Sequence, residues 1–207
     1  MTGLVKTRRN RFGIPWAALL LTACCAGPAA SAQDLQLAGV SVPGQASIGG
    51  RHLQLNGSGV RTLLGFRVYV ASLYLPAPTR DVARILDGDT ARSLQVTLLR
   101  DTTTEQNLGA LKGGLIDNNT PEELAAIQTE IDLFFALIKQ VHEVPAGTSI
   151  VLDYLPGHGT QLRFGNRILG SIPGERFNRA ILKIWLGADP IQFSLKKSLL
   201  GLDSPAL

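Results

Sequence analysis

Cysteine is the first scarcity in this chain. Of 207 residues only Cys24 and Cys25 are thiols, and both lie in the first 32 positions. The remaining part of the chain therefore excludes disulfides, thiol catalysis, a cysteine-type zinc site and c-type haem attachment. Acidic residues are missing from the same opening stretch, which carries Lys6, Arg8, Arg9 and Arg11 unopposed. The whole chain has 20 Lys and Arg against 16 Asp and Glu, so setting those four cations aside leaves a body of zero formal charge. A nucleic-acid binder needs a lasting excess of positive charge to displace counterions, and this body shows none. Long apolar runs are missing too. The longest, Ile14 to Ala26, falls short of the ~20 residues of a permanent membrane span. There is also no glycine-rich phosphate loop, no Gly-x-Ser-x-Gly, no His-Glu-x-x-His and no calcium loop.

What is present at the start reads as an export signal. A basic segment to Gly13 precedes the short apolar run, and Ala30-Ser31-Ala32 supplies the small-x-small pattern of a signal-peptidase site. A buried N-terminal helix would not account for four cations directly ahead of an uncharged stretch. The expectation is a signal peptide over 1–32, cleavage before Gln33, and a periplasmic product. Leu21-Thr22-Ala23-Cys24 offers a competing reading, since it resembles a lipobox that would leave a lipidated Cys24 as the N-terminus.

Residues 33–207 read as one α+β domain, with no linker, internal repeat or low-complexity tract. About 175 residues suffice for a single core. A Gly- and Pro-containing entry segment with one strand leads to apolar stretches at Leu53–Asn56 and Val60–Leu64, around Gly57-Ser58-Gly59. Phe66 to Leu75 is rich in aromatic and β-branched residues and is closed by Pro76, which predicts a strand. A short helix over 80–87, a strand over 93–99 and a helix from Thr103 to Leu115 follow. Thr120, Pro121 and Glu123 form a complete helix-start signal, with cap, N1 proline and capping-box carboxylate. Leu124, Ile127, Ile131, Phe134, Ile138 and Val141 then recur at helical spacing, predicting one helix of almost six turns whose second half lies deep. Strands over 148–155, 160–164 and 167–172 come next, the last two joined by a Gly165-Asn166 hairpin turn. The chain closes with a helix from Glu175 to Leu186 and another starting at Asp189-Pro190.

Chemistry is sparse. His52, His142 and His158 are not placed with each other or with carboxylates at metal-ligand spacing, so no metal and no cofactor are expected. Two segments carry more through resemblance. Gly57-Ser58-Gly59-Val60-Arg61 followed by the Phe66–Leu75 strand with its terminal Tyr74-Leu75 resembles the start of chalcone isomerases. Phe177 to Gly187, leading through Asp189-Pro190 to Leu195–Gly201, resembles the closing helices of the same family. With Tyr154-Leu155-Pro156-Gly157-x-Gly159-Thr160 and Ile184-Trp185-Leu186-Gly187, the likeness is greatest to its bacterial exported branch and runs from about residue 40 to 201.

That resemblance implies an open-faced β-sandwich, a large antiparallel sheet with a helical layer over a ligand cleft. It also implies site positions. The family arginine that holds a phenolate falls on Arg61, and a strand threonine falls on Tyr69. A helix tyrosine should lie within 103–107, which reads Thr-Thr-Glu-Gln-Asn, and a C-terminal hydroxyl falls on Ile184, beside Trp185. Two of the four polar positions are lost. The expectation is therefore a cleft with Arg61, Tyr69, Thr103, Gln106, Ile184 and Trp185 around a small hydrophobic or amphipathic ligand, as in the relatives that bind fatty acids. A carboxylate suits the bidentate fork of a guanidinium. Two other readings stand beside it: an active intramolecular lyase built on Arg61 and Tyr69, and an envelope interaction protein with a vestigial cleft. Nothing in the sequence speaks to oligomeric state.

Overall fold

The computed structural model describes residues 1–3 and 34–203; the proposed signal peptide, Cys24 and the cleavage site lie outside the described residues. A short antiparallel pair, β1 (Leu35–Leu37) and β2 (Val40–Val42), opens the domain. The main sheet holds β3 (Gln45–Ile48), β4 (Arg51–Leu63), β5 (Phe66–Leu75), β6 (Arg92–Leu98), β9 (Ser149–Leu155), β10 (Gly159–Phe164) and β11 (Arg167–Ile172). Its order is β11-β10-β9-β6-β5-β4-β3, antiparallel at every junction. Between β5 and β6 lies α1 (Val82–Asp87), capped by the Asp81 carboxylate. The segment between β6 and β9 forms β7 (Thr102–Thr103), α2 (Thr104–Asn118), α3 (Pro121–Ala125), α4 (Gln128–Ile138) and β8 (Glu143–Val144). The chain finishes with α5 (Glu175–Leu186) and α6 (Phe193–Leu199). This is the α+β architecture of a large antiparallel sheet beneath a helical layer.

The period-two alternation of the strands divides the apolar residues between two cores. Ala71 and Leu73 of β5, Leu94, Val96 and Leu98 of β6, and Leu152 and Leu162 face the helices, where they meet Phe134, Phe177, Ile181 and Ile184. Val70 and Tyr74 point to the opposite face, where Val42, Ile48, Leu53 and Ala91 cover them. The helix-side core is the larger, and it holds the site described below.

One sequence reading is completed and three are corrected. The stretches at 53–56 and 60–64 are one thirteen-residue strand, β4, which runs through Gly57-Ser58-Gly59 with a bulge between Leu55 and Gly57. The entry segment contains three short strands rather than one. The long helix is broken: Ile127 takes φ −127°, ψ 22°, its N–H bonds three residues back to Leu124, and it is buried. α3 and α4 are therefore two helices, and Leu133 is 38% exposed rather than deep. Finally, α6 starts at Phe193, with Gln192 at its N-cap position, not at Asp189-Pro190. The Asp189 backbone is instead clamped from both sides by the Asn118 side-chain amide, which donates to its carbonyl at 2.7 Å and accepts from its N–H at 3.0 Å.

Candidate functional site

The site begins with two glycines. Past the β4 bulge, Gly57, Gly59 and Arg61 share the helix-facing side of the strand, opposite Leu73, Ala71 and Tyr69 of β5. A Cβ on Gly57 would stand 2.1 Å from the Ser198 carbonyl oxygen, and one on Gly59 would stand 2.6 Å from the Ser198 Cβ. Only glycine lets α6 lie directly on β4. The next position on that face is Arg61, which arrives where α6 begins.

There Arg61 Nη1 donates to the Gln192 side-chain carbonyl at 3.0 Å and to the neighbouring Thr62 carbonyl. The same Gln192 oxygen accepts from the Thr62 N–H at 2.8 Å, and its amide nitrogen donates to Val60 O at 3.3 Å. Among the described residues the ion pairs are Arg163–Asp153, Arg179–Asp87 and Lys183–Glu123, so Arg61 is held by neutral partners alone. It is half-buried.

Across the strand pair from Arg61 is Tyr69, whose hydroxyl accepts from Trp185 Nε1 at 3.0 Å. Burial pushes the Tyr69 phenol up to about 12, against the smaller opposing effects of the Trp185 hydrogen bond and the Arg61 charge. Beyond Tyr69 opens a cavity of about 110 Å³. One buried water needs roughly 10–15 Å³, so side chains do not fill this space. Its floor is Leu94, Val96 and Leu98 of β6 with Ile150, Leu152, Leu162 and Phe164 of the next two strands. Its roof is Thr104, Asn107 and Leu111 of α2 with Phe134 and Ile138 of α4, and Ile184, Trp185 and Ile191 close the side. The lining is apolar nearly throughout. Thr104 turns its hydroxyl to the Val141 carbonyl, and the Asn107 amide donates to the Thr102 hydroxyl at 3.0 Å. Polarity is concentrated at the Tyr69–Trp185 end.

A family model described as chalcone isomerase-like matches residues 34–201, nearly the whole described domain. The chain belongs to the chalcone isomerase-like family. Among solved structures, the crystal structure of a fatty-acid binding protein from Arabidopsis thaliana matches with a TM-score of 0.65, covering 81% of this chain and 96% of that one. At 17% identity this likeness speaks to the fold. No curated protein matches the sequence.

Within this chalcone isomerase-like domain, Tyr69, Ile184 and Trp185 line the cavity, while Arg61 stands across the strand pair from Tyr69 and is not itself among the lining residues. Thr103 and Gln106 do not line it either. They form a reciprocal capping box at the start of α2: the Gln106 N–H donates to the Thr103 hydroxyl at 3.3 Å, and the Thr103 N–H donates to the Gln106 side chain at 3.1 Å. Both are exposed, and the positions that reach the cavity are their neighbours Thr104 and Asn107. The Thr103-x-x-Gln106 spacing is a capping pattern that the sequence itself displays. Gln192 carries no signal in the sequence, because nothing local distinguishes a glutamine that meets a strand 131 positions earlier. The three histidines are exposed, and the described residues contain no cluster of His, Cys, Asp or Glu able to hold a metal.

Proposed function

We propose that this protein binds a small amphipathic carboxylate, with its apolar part in the cavity and its head at the Arg61–Tyr69–Trp185 end. The observation that carries this reading is the pairing of an unfilled apolar cavity with a guanidinium that has no carboxylate partner. Apolar pockets with a few convergent polar groups at one end are the general form of small-molecule sites. An anion would exchange the neutral Gln192 contact of Arg61 for a charge-assisted pair, which is roughly twice as strong. The fatty-acid binding protein that shares the fold supports the same ligand class.

Binding without cyclisation is the form this reading takes. Tyr69 is the sole titratable residue among those lining the cavity, and its phenol stays protonated far above neutral pH. General acid–base catalysis works best with a group whose pKa lies near the working pH. Ile184 brings a methyl-bearing side chain where a hydroxyl was sought. The flavanone-forming reaction is accordingly expected to run at its solution rate. Chiral chromatography of the product from a chalcone substrate tests this, and an enantiomeric excess that scales with protein concentration would overturn it.

The leader supports a further part of the proposal: that the chain belongs to the exported branch, is cut before Gln33 and works in the periplasm. N-terminal sequencing of the processed protein decides between this and a lipidated Cys24. The ligand itself is best sought by native mass spectrometry of protein isolated from its own compartment. A co-purifying carboxylate that dissociates from Arg61→Met is the expected result. An empty wild-type protein that also ignores added long-chain carboxylates would sink the reading.

A further inference from the structure

The β4–β5 hairpin ends in a tip that the fold does not cover. Leu63, Leu64 and Phe66 are 54%, 89% and 62% exposed, three large apolar side chains within four residues. Leu64 also has φ of +50°, followed by Gly65 at +81°. The left-handed region is unfavourable for a residue with a Cβ, and Asn or Gly is the usual occupant of such a turn. Leu64 is thus disfavoured twice, by its backbone and by its exposure.

Cations flank this tip. Arg67 is exposed on β5, and the Arg100 guanidinium lies over the Phe66 ring, 5.1 Å from its centroid. The antiparallel order brings a second hairpin to the same sheet edge, where exposed Arg167 and 57% exposed Ile168 follow the β10–β11 turn. Neither tip contains an acid. The acids at this edge, Asp101, Glu105 and Glu143, belong to the loop, helix start and short strand between them, and Asp101 accepts from the Ala146 N–H. The cavity reaches the same end of the sheet: Leu98 and Phe164, which line it, are the last residues of β6 and β10, and Ile150 is the second of β9.

We propose that the β4–β5 tip docks on an anionic lipid bilayer, with Leu63, Leu64 and Phe66 inserted at the headgroup boundary and Arg67 and Arg100 on lipid phosphates. An apolar wedge ringed by arginines has the composition of an interfacial anchor. Three side chains on one turn fall far short of the roughly 800 Å² per partner that a stable protein interface buries, whereas a bilayer accepts so small an insertion. Docking in this orientation would bring the cavity end of the sheet to the membrane. That consequence rests on the ligand reading above; the docking itself does not.

The test is sedimentation of the unliganded protein with phosphatidylcholine vesicles, with and without phosphatidylglycerol. Partitioning is expected only with the anionic lipid, and salt should weaken it. Leu64→Asn suits the left-handed turn, so it keeps the fold, and it should lower partitioning roughly tenfold, the scale of one buried leucine. Arg67→Gln with Arg100→Gln should remove the preference for anionic lipid. Equal partitioning of wild type and Leu64→Asn would overturn the proposal. So would lack of vesicle binding together with self-association that Leu64→Asn abolishes, which would make the tip a protein interface. Because no carboxylate ligand is present, failure here leaves the cavity reading standing, and the reverse also holds.

Discussion

The sheet contains two cross-strand pairs of arginine and tyrosine, Arg61 with Tyr69 and Arg92 with Tyr154, and the fold treats them in opposite ways. Arg92 is 1% exposed. Its Nε donates to Asn178 Oδ1 at 2.5 Å, and its Nη1 donates to the carbonyls of Ile85 and Gly88 at 2.7 Å each, tying up the C-terminal end of α1. Its guanidinium stacks on the Tyr154 ring, 4.7 Å from the centroid, and Tyr154 in turn donates to Asp89. Burial lowers the Arg92 pKa, against the opposing pull of Tyr154, Glu175 and Asp89. Arg61 has one side-chain partner, Gln192, and a cavity beside its tyrosine. One pair is enclosed by the fold, which bonds Arg92 through Nε and Nη1 and leaves only its buried Nη2 without a partner, and the other pair is half-buried beside a cavity. The residue types do not distinguish the two, and the difference lies in what the helices bring. Asn178 of α5 and the end of α1 close over Arg92, whereas α6 reaches Arg61 only through Gln192, its N-cap.

The most drastic way to probe this comparison is alkali, which acts on both tyrosines at once. Tyr69 and Tyr74 are each raised to about 12 by burial, and Tyr154 is raised further, by burial and by its bond to Asp89. These are all three tyrosines of the chain. A phenol whose pKa is higher folded than unfolded contributes stability that is complete below pH ~10 and is lost as pH climbs towards the folded value. Stability is therefore expected to fall by several kcal/mol between about pH 10 and 12. Tyrosinate absorbance and far-ultraviolet circular dichroism, followed together, should change in one step. In a Tyr74→Phe background, which leaves only the two paired phenols, a tyrosine that ionises near pH 10 while the fold persists would show that one of the two pairs is open to water.

Removing each arginine separates the pairs. Arg92→Met strands an amide oxygen and two helix-end carbonyls in the core and should cost about 3 kcal/mol in urea unfolding. It should not alter the binding of carboxylates by the protein that remains folded. Arg61→Met should do the converse. Its loss is expected to cut carboxylate affinity roughly tenfold to a hundredfold, the worth of a hydrogen bond to a charged group. Stability should change by about 0.5 kcal/mol or less, because Thr62 N–H and Val60 O keep Gln192 in place. Lost stability with intact affinity would make Arg61 a prop of the hairpin and a second Arg92.

The same contrast explains what the sequence discloses. Elements with a local cause are legible: the Thr120 capping box is present as read, with both hydrogen bonds formed, and α5 runs over the predicted residues. Elements set by distant partners are not. The start of α6 looked like Asp189-Pro190 because a cap followed by proline is a sound local rule, yet Asn118, 71 positions away, claims the Asp189 backbone. The break at Ile127 likewise serves the burial of one side chain, which periodicity alone does not reveal. Of the positions that the family resemblance points to, Tyr69, Ile184 and Trp185 line the cavity and Arg61 lies beside Tyr69 without lining it, while Gln192 and Asn107 have no local signature. Arg92, the most buried charge in the domain, left no mark in the sequence either.

Thr103 gives the smallest expected effect and separates a capping role from a ligand role. Its hydroxyl satisfies one of the orphan N–H groups at the start of α2, and Gln106 returns the bond to its backbone. Thr103→Ala should therefore cost about 1 kcal/mol of stability, the ordinary worth of an N-cap. Affinity for a carboxylate should be unchanged, because the side chain is exposed and outside the cavity lining. Thr103→Ser restores the hydroxyl and should recover nearly all of that stability. Thr104→Val offers the contrast one residue on, since it removes a cavity-lining hydroxyl bonded to the Val141 carbonyl and should disturb the α2 end of the cavity as well as stability. Chemical denaturation and ligand titration on these three variants read the two roles separately. If Thr103→Ala weakened binding while leaving unfolding untouched, the ligand would extend past the apolar lining to the start of α2, and the Arg61 end would no longer be the obvious place for its head.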